Sequence, residues 1–355
     1  MQMTFRWYGK DDPVTLENIR QIPGMEGIVS AIYDIPVGEV WPQERIHTLK
    51  EEVESHGLKL SVIESVPVHE DIKLGRPTRE RLIDNYKQTI RNLAAEDIRI
   101  ICYNFMPVFD WTRTDLNYEY PDGSHALIFD EEVSKKMDPV NGELALPGWD
   151  ASYTKEEMAA VIDAYKEVDE EKLWENLAYF INEIIPVAEE VGVEMAIHPD
   201  DPPYSIFGLP RIITDLDAVK RFLDLYDSKA NGVTLCVGSF ASDPKNDPIE
   251  ILRYALSRNR VNFMHARNIR LGRGKSFREC AHPSKYGSID MYEVIKALYE
   301  YRFTGPIRPD HGRMIWGETG RPGYGLYDRA LGATYLYGLY EAIVKENEEE
   351  KEWEK

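Results

Sequence analysis

The chain has 355 residues, and its acidic residues outnumber its basic residues by 62 to 42, which gives a formal net charge of −20. This charge argues against nucleic acid as a partner, because binding to a phosphate backbone requires clustered Lys and Arg side chains. With 43% hydrophobic residues the chain can form a sizeable core, and its three cysteines indicate a reducing compartment and not a disulfide framework.

Eight short apolar segments, each followed by a longer segment of helical periodicity, are the predicted strands. In chain order they cover residues 5–9, 27–33, 59–65, 99–105, 194–199, 233–238, 261–267 and 305–311. Strands that alternate with helices in this way predict an α/β fold, a single closed (β/α)₈ TIM barrel over residues 1–344. A doubly wound open sheet is the rival, but no Gly-rich phosphate-binding loop follows the first strand.

Residues 107–153 follow the fourth predicted strand and are too long for a simple loop. Within them, residues 115–120 and 125–130 flank the sequence Pro-Asp-Gly-Ser, which predicts a hairpin. An insertion at this end of a barrel strand lies on the catalytic face. We therefore expect a lid or a subunit-contact arm, with a surface excursion as the equal alternative.

The C-terminal region supports two further predictions. Residues 345–355 contain six glutamates and predict a disordered acidic tail. The preceding helix carries an apolar stripe, which together with the aromatic-rich insertion favours a homo-oligomer, with a dimer preferred. Packing of the stripe on the barrel is the alternative. The stripe consists of Leu326, Ala330, Ala333, Tyr337 and Tyr340.

Residues that can bind a metal end the last four predicted strands: His198, Cys236, His265 and Asp310. In a TIM barrel these strand ends meet at the face where active sites form. Two imidazoles, a thiolate and a carboxylate suit a borderline divalent ion such as Fe²⁺, Mn²⁺, Co²⁺ or Zn²⁺. A single His or Cys is usually structural, but four such residues at matched positions predict a metal site.

Other polar or aromatic residues near the strand ends are candidates for binding an anionic, hydroxylated substrate. They are Trp7, Asn104, Arg267, Asn268, His311 and Arg313. An arginine is the natural partner of a substrate carboxylate. For Asn104, polar packing at the barrel rim is at least as good an interpretation.

Two loops are also of interest. In residues 320–327, three glycines and a proline surround Tyr324, whose hydroxyl could lie over the metal as a proton donor or acceptor. An ordinary loop tyrosine is the equal alternative. Residues 273–288 are rich in Gly, Lys, Arg and Ser, and we favour a mobile surface loop over a phosphate-binding one.

At these positions the sequence resembles the mannonate dehydratase family. The match extends over nearly the whole chain, from Met-Thr-Phe-Arg-Trp-Tyr-Gly through Ala-Ile-His-Pro-Asp-Asp-Pro-Pro to Arg-Pro-Asp-His-Gly-Arg. The resemblance implies a xylose-isomerase-like barrel. It also implies a hydro-lyase of glucuronate catabolism, which converts D-mannonate to 2-dehydro-3-deoxy-D-gluconate and water and uses Mn²⁺ or Fe²⁺. It implies that His198, Cys236, His265 and Asp310 bind the metal and that His311 and Tyr324 are catalytic.

Loss of water from an aldonate requires a base for the C2 proton and an acid for the C3 hydroxyl, while a divalent ion spreads the charge of the enolate. We expect His311 and Tyr324 to share the proton transfers, with Arg267 or Arg313 holding the carboxylate. One rival is a metal-dependent sugar isomerase or epimerase with the same barrel fold. Such enzymes generally bind their metal through several carboxylates, whereas a cysteine and two histidines dominate the set found here. Another is a sugar-acid-binding module without catalysis, against which the complete set of site residues argues.

Residues 1–7 lack the apolar stretch of a signal peptide, and no window reaches the ~18 apolar residues of a membrane span. We therefore expect a cytoplasmic protein that does not bind a membrane.

Overall fold

The computed structural model describes residues 1–141 and 154–353, with side chains as far as Asn347. This part of the chain contains twelve strands. They are β1 (Gln2–Arg6), β2 (Gly27–Ser30), β3 (Lys59–Glu64), β4 (Ile100–Tyr103), β5 (Asp115–Glu119), β6 (His125–Phe129), β7 (Glu194–Ile197), β8 (Asn231–Cys236), β9 (Val261–His265), β10 (Ile269–Leu271), β11 (Phe277–Glu279) and β12 (Pro306–Arg308).

Eight of these strands form a closed parallel barrel in the order β1-β12-β9-β8-β7-β4-β3-β2. The barrel closes where Gln2 and Met3 of β1 pair with Pro306 and Ile307 of β12. Each barrel strand overlaps one of the eight predicted segments, so the predicted (β/α)₈ fold is confirmed.

Helices surround the barrel. In chain order they are α1 (Leu16–Arg20), α2 (Gln43–Glu54), α3 (Glu70–Lys73), α4 (Arg79–Ala95), α5 (Glu131–Ser134), α6 (Lys155–Ala164), α7 (Glu170–Val191), α8 (Leu216–Leu225), α9 (Val237–Ala241), α10 (Pro248–Ser257), α11 (Met291–Glu300) and α12 (Tyr327–Trp353). Within the described residues, no helix is both long enough and apolar enough to cross a membrane.

The helices pack through stripes of apolar residues at helical spacing. In α4, Leu82, Tyr86, Ile90 and Leu93 are all buried. Phe180 of α7 meets the ring of Tyr86 edge to face, with 5.1 Å between the ring centroids. Burial of such stripes is the main source of helix stability in a globular protein, so this periodicity explains the helical layer.

A separate apolar cluster fills the inside of the barrel. It consists of Val29, Val62, Cys102, Ala196 and Phe263, which come from five different barrel strands. Side chains two residues apart on a strand point the same way, and the ring of Phe263 packs edge to face against His265 at 4.6 Å. The cluster is therefore adjacent to the polar site at the strand ends.

The predicted hairpin in the insertion is confirmed as β5 and β6. It forms a four-stranded antiparallel sheet with β10 and β11, in the order β10-β11-β6-β5. Phe129 of β6 stacks on Phe277 of β11 with 5.6 Å between ring centroids. The hairpin thus packs on the segment that follows β9, and the loop expected over residues 273–288 contains a strand. Residues 142–153 of the insertion lie outside the described residues, and its role as a lid or a subunit contact stays a prediction.

Helix α12 forms the C-terminal segment and is described as far as Trp353. The disordered acidic tail expected over residues 345–355 stays a prediction. In the predicted apolar stripe Ala333 is fully buried while Tyr337 is 47% exposed, so only part of the stripe is free to contact another subunit.

Candidate active site

Four groups that can bind a metal lie together at the ends of the last four barrel strands. His198 follows β7 directly, Cys236 and His265 are the last residues of β8 and β9, and Asp310 follows β12 by two residues. Ligand atoms of His198, Cys236 and His265 all lie within 4.8 Å of one another. Oδ2 of Asp310 lies 3.7 Å from both the Cys236 Sγ and the His265 Nδ1 atoms. The structure therefore brings the four predicted ligands together.

The two imidazole rings are oriented by groups outside this cluster. Nδ1 of His198 donates a hydrogen bond to the carbonyl oxygen of Pro199 at 2.7 Å, which leaves Nε2 to face the cluster. That Nε2 atom lies 3.2 Å from Nδ1 of His265. On the other side of the His265 ring, Nε2 lies 3.3 Å from a carboxylate oxygen of Glu64. Each ring thus directs one nitrogen into the cluster.

The charges around Cys236 favour its thiolate form. Burial alone would raise the pKa of this thiol, but Arg267 and hydrogen bonds with His198 and His265 hold the pKa well below its usual value. Burial lowers the pKa of His198, but the hydrogen bond with Cys236 and the negative charges of Cys236, Glu64 and Asp310 together raise that pKa to about 9. Thiolate is the form of cysteine that binds metals. Two imidazoles, a thiolate and a carboxylate therefore fit a borderline divalent cation.

Asp310 supplies the carboxylate of this set. Its φ of +57° lies in the left-handed region, which Asp adopts more readily than most residues and which is frequent at functional sites. Its oxygens lie 2.8 Å from Arg308 and 2.9 Å from Arg267. Burial would raise the pKa of Asp310, but Arg308 and nearby histidines hold it well below its usual value. The carboxylate is therefore ionised at neutral pH.

The two predicted catalytic residues, His311 and Tyr324, are in direct contact. Nε2 of His311 lies 2.8 Å from the hydroxyl oxygen of Tyr324, and both side chains are buried. Burial raises the pKa of Tyr324 well above its usual value, so the phenol holds its proton at neutral pH and can donate it. Tyr327, three residues further on, is 41% exposed and lies outside the cavity.

A cavity of about 150 Å³ opens over these groups. Among the predicted site residues, its wall includes Asn104, His198, Asp310, His311 and Tyr324. Metal-binding and proton-transferring groups therefore face the same space, and a small molecule in this space would contact both.

Arg267 and Arg313, for which we predicted substrate-binding roles, do not line the cavity. Arg267 is completely buried and bound to carboxylates, and a side chain at Gly238 would collide with it. Arg313 forms an ion pair with Asp328 at 2.9 Å. Both guanidinium groups are therefore already neutralised by the protein.

Asn268 and Trp7 are likewise placed away from the cavity. The Asn268 amide donates to the carbonyl oxygens of His282 and Ile289 and accepts from the N–H of Ile289. Asn268 therefore fixes the segment after β11. Trp7 is 3% exposed and belongs to the hydrophobic core.

The cavity has polar residues that the sequence analysis did not select. Arg308 contacts Glu64 at 3.0 Å and lies beside Tyr324. Arg321 stacks over the ring of Tyr8 at 4.2 Å at the cavity rim. Arg308 is the last residue of β12, and its position at the end of a barrel strand is the signal that could have identified it.

Comparison with known proteins identifies the family. A family model described as D-mannonate dehydratase (UxuA) matches residues 1–350. A mannonate dehydratase from Streptococcus uberis is 81% identical over 345 residues, which is 97% of this chain and 99% of that protein. The chain belongs to the D-mannonate dehydratase family. The resemblance stated from the sequence is thus confirmed.

A solved structure from the same family agrees. The crystal structure of mannonate dehydratase from Streptococcus suis superposes with a TM-score of 0.92 at 58% identity, and the match covers 98% of this chain and 96% of that one. Remote structures show the fold alone. Among them, a D-psicose 3-epimerase from Clostridium cellulolyticum has a TM-score of 0.54 at 15% identity, with 97% of each chain covered. The barrel of this chain therefore has the same fold as the barrel of this epimerase.

Proposed function

We propose that the chain catalyses the metal-dependent dehydration of D-mannonate to 2-dehydro-3-deoxy-D-gluconate and water, in hexuronate (glucuronate) catabolism. The observation that carries this proposal is the hydrogen-bonded pair His311 and Tyr324, which shares one cavity with a convergent set of metal-binding groups. Membership of the D-mannonate dehydratase family supports the substrate.

In this proposal His198, Cys236, His265 and Asp310 bind Mn²⁺ or Fe²⁺. The mixed set of nitrogen, sulfur and oxygen donors suits both ions, so the residues alone do not choose between them. When bound, the divalent cation supplies a Lewis acid for the negative charge that develops as the C2 proton leaves. Arg308 donates a hydrogen bond to the outer nitrogen of His265 at 3.0 Å, and the carboxylate of Glu64 lies 3.3 Å from the same atom, so both residues orient that ring.

The reaction removes a proton from C2 and a hydroxyl group from C3, and the hydroxyl leaves as water after it is protonated. His311 and Tyr324 share these two transfers. Their 2.8 Å contact allows a proton to pass between the imidazole and the phenol, so the pair can accept one proton and deliver another. The enol that forms becomes the 2-keto product when its C3 carbon takes up a proton and its C2 hydroxyl group releases one.

Arg321 attracts the anionic substrate at the rim of the cavity. Two other arginines of the cavity wall, Arg6 and Arg308, lie within 4 Å of the Glu64 carboxylate. In the described part of the chain Arg321 has no such partner, and it is exposed on a loop that begins at Gly320 with a φ of +143°. Its guanidinium is therefore available to pair with a carboxylate.

We expect Arg321→Met to raise KM for D-mannonate about 10-fold, equivalent to about 1.4 kcal/mol, with little change in kcat. The reason is that an attraction lost equally from the bound substrate and the transition state changes binding alone. Steady-state kinetics would measure it, with Arg273→Met as a control that removes one exposed positive charge elsewhere. An equal rise in KM in both variants would show a general charge effect and contradict the assignment.

The proposed function is tested by assaying chelator-treated protein with D-mannonate, with and without added Mn²⁺ or anaerobic Fe²⁺, and measuring the 2-keto-3-deoxy product. We expect no turnover without metal and recovery with at least one of the two ions. If neither ion gives product, the proposal is wrong, and the same samples should then be assayed for isomerisation or epimerisation of sugars.

A further inference from the structure

A closed ring of four buried charges lies next to the catalytic pair. Arg113, from the insertion, contacts Asp201 at 2.8 Å and Glu279 at 2.8 Å. Arg267 contacts the same two carboxylates, with 2.6 Å to Asp201. The four side chains are at most 2% exposed. Two cations and two anions balance each other here, so the ring is electrically neutral and fixed in position.

Glu279 is the member of this ring that touches the catalytic pair. Its Oε1 atom lies 3.3 Å from Nδ1 of His311. The other ring nitrogen of His311, Nε2, lies 2.8 Å from the hydroxyl of Tyr324. The imidazole is therefore held between a buried carboxylate on one side and the phenol on the other.

We propose that Glu279 is a positioning residue that orients His311 for proton transfer with Tyr324, an inference that rests on the proposed function. Glu279 accepts a hydrogen bond from Nδ1–H of His311, which keeps Nε2 directed at the phenol and at the cavity. Glu279 itself contacts neither the cavity nor the metal-binding groups, and it acts only through His311.

The surroundings of Glu279 support this role. Burial alone would raise the pKa of its carboxyl group, but Arg267, His311 and Arg113 lower the pKa to about 2. An ionised carboxylate is a strong acceptor for an imidazole N–H. The two arginines also fix the orientation of the carboxylate, so little ordering is required when the substrate binds.

The four-stranded sheet of β10, β11, β6 and β5 holds two members of this ring in place. Glu279 is the last residue of β11, and Arg113 precedes β5 in the insertion. Pairing of β11 with the hairpin strand β6 holds both residues against the barrel. The insertion therefore contributes Arg113 to the surroundings of the site, and its strand β6 pairs with the strand that carries Glu279.

A double-mutant cycle tests the inference on the metal-loaded enzyme. We expect Glu279→Gln to lower kcat about 10- to 100-fold with KM changed less than about 2-fold. In a His311→Asn background the same substitution should change kcat less than about 3-fold, because the residue it acts through is already gone. Glu70→Gln is the matched control, since Glu70 is also a buried carboxylate and is paired with Lys73. This substitution should not change kcat, either in the otherwise unchanged enzyme or in the His311→Asn variant.

The inference is overturned if Glu279→Gln lowers kcat by the same factor with and without His311, or if it raises KM alone. Circular dichroism and bound metal are measured on each variant. If the neutral variant does not fold, Glu279→Asp takes its place, because it keeps the charge opposite both arginines. Turnover of D-mannonate by the unchanged enzyme is measured first, so failure of the proposed function is distinguished from failure of the inference.

Discussion

Tyr324→Phe is expected to lower kcat for D-mannonate dehydration by roughly 10²–10⁴-fold, the range for removal of a general acid or base. The substitution removes only the hydroxyl that contacts His311 and leaves the ring in its edge-to-face contact with Tyr8. KM and bound metal should therefore stay close to those of the unchanged enzyme. Steady-state kinetics with metal analysis of each sample would measure the three quantities.

Tyr327→Phe is the matched control, because it removes the same atom from an exposed tyrosine three residues away. It should retain full activity. His311→Asn should behave like Tyr324→Phe, since the two residues form one hydrogen-bonded pair. Near-normal turnover in Tyr324→Phe, or an equal loss in Tyr327→Phe, would contradict the assignment of the phenol to proton transfer.

The barrel and the metal-binding cluster could be predicted because both follow from local rules. Apolar segments separated by helical stripes set the strand count, and the closed barrel brings successive strand ends to one face. His198, Cys236, His265 and Asp310 each stand at or just after a strand end. Knowing the strand bounds was therefore enough to place these four residues together.

The arginines could not be assigned in the same way. Arg267 stands two residues after His265, and its neighbours in sequence do not reveal that Asp201 and Glu279 bind it. Asp201 lies 66 residues and Glu279 12 residues from Arg267 in the chain, and a long side chain can reach whichever partner the fold places beside it. Glu279 was missed because β11 is a short strand whose pairing with β6 depends on tertiary structure. Local sequence patterns do not predict which strands pair in this way.

Cys236→Ser is expected to weaken binding of Mn²⁺ or Fe²⁺ and to abolish turnover at low metal concentration. Loss of a residue that only supports a metal ligand lowers affinity about 10- to 100-fold, and loss of the ligand itself should lower it further. The structure favours a thiolate at this position, because Arg267 and two histidines hold the pKa of the thiol well below its usual value. A serine hydroxyl is not ionised under these conditions and is a much poorer ligand. Ser239, whose N–H and hydroxyl donate to the Cys236 sulfur, can donate equally well to a serine oxygen, so the start of α9 should be preserved.

Bound metal per chain after dialysis, measured by elemental mass spectrometry, reports on this site independently of activity. Cys280→Ala is the matched control. Cys280 is also buried, and burial raises the pKa of its thiol to about 12, so it stays protonated and is not a ligand. This control should keep both metal and turnover. If Cys236→Ser binds the cation as tightly as the unchanged enzyme does, the thiolate is not a ligand, and His198, His265 and Asp310 then hold the ion without it.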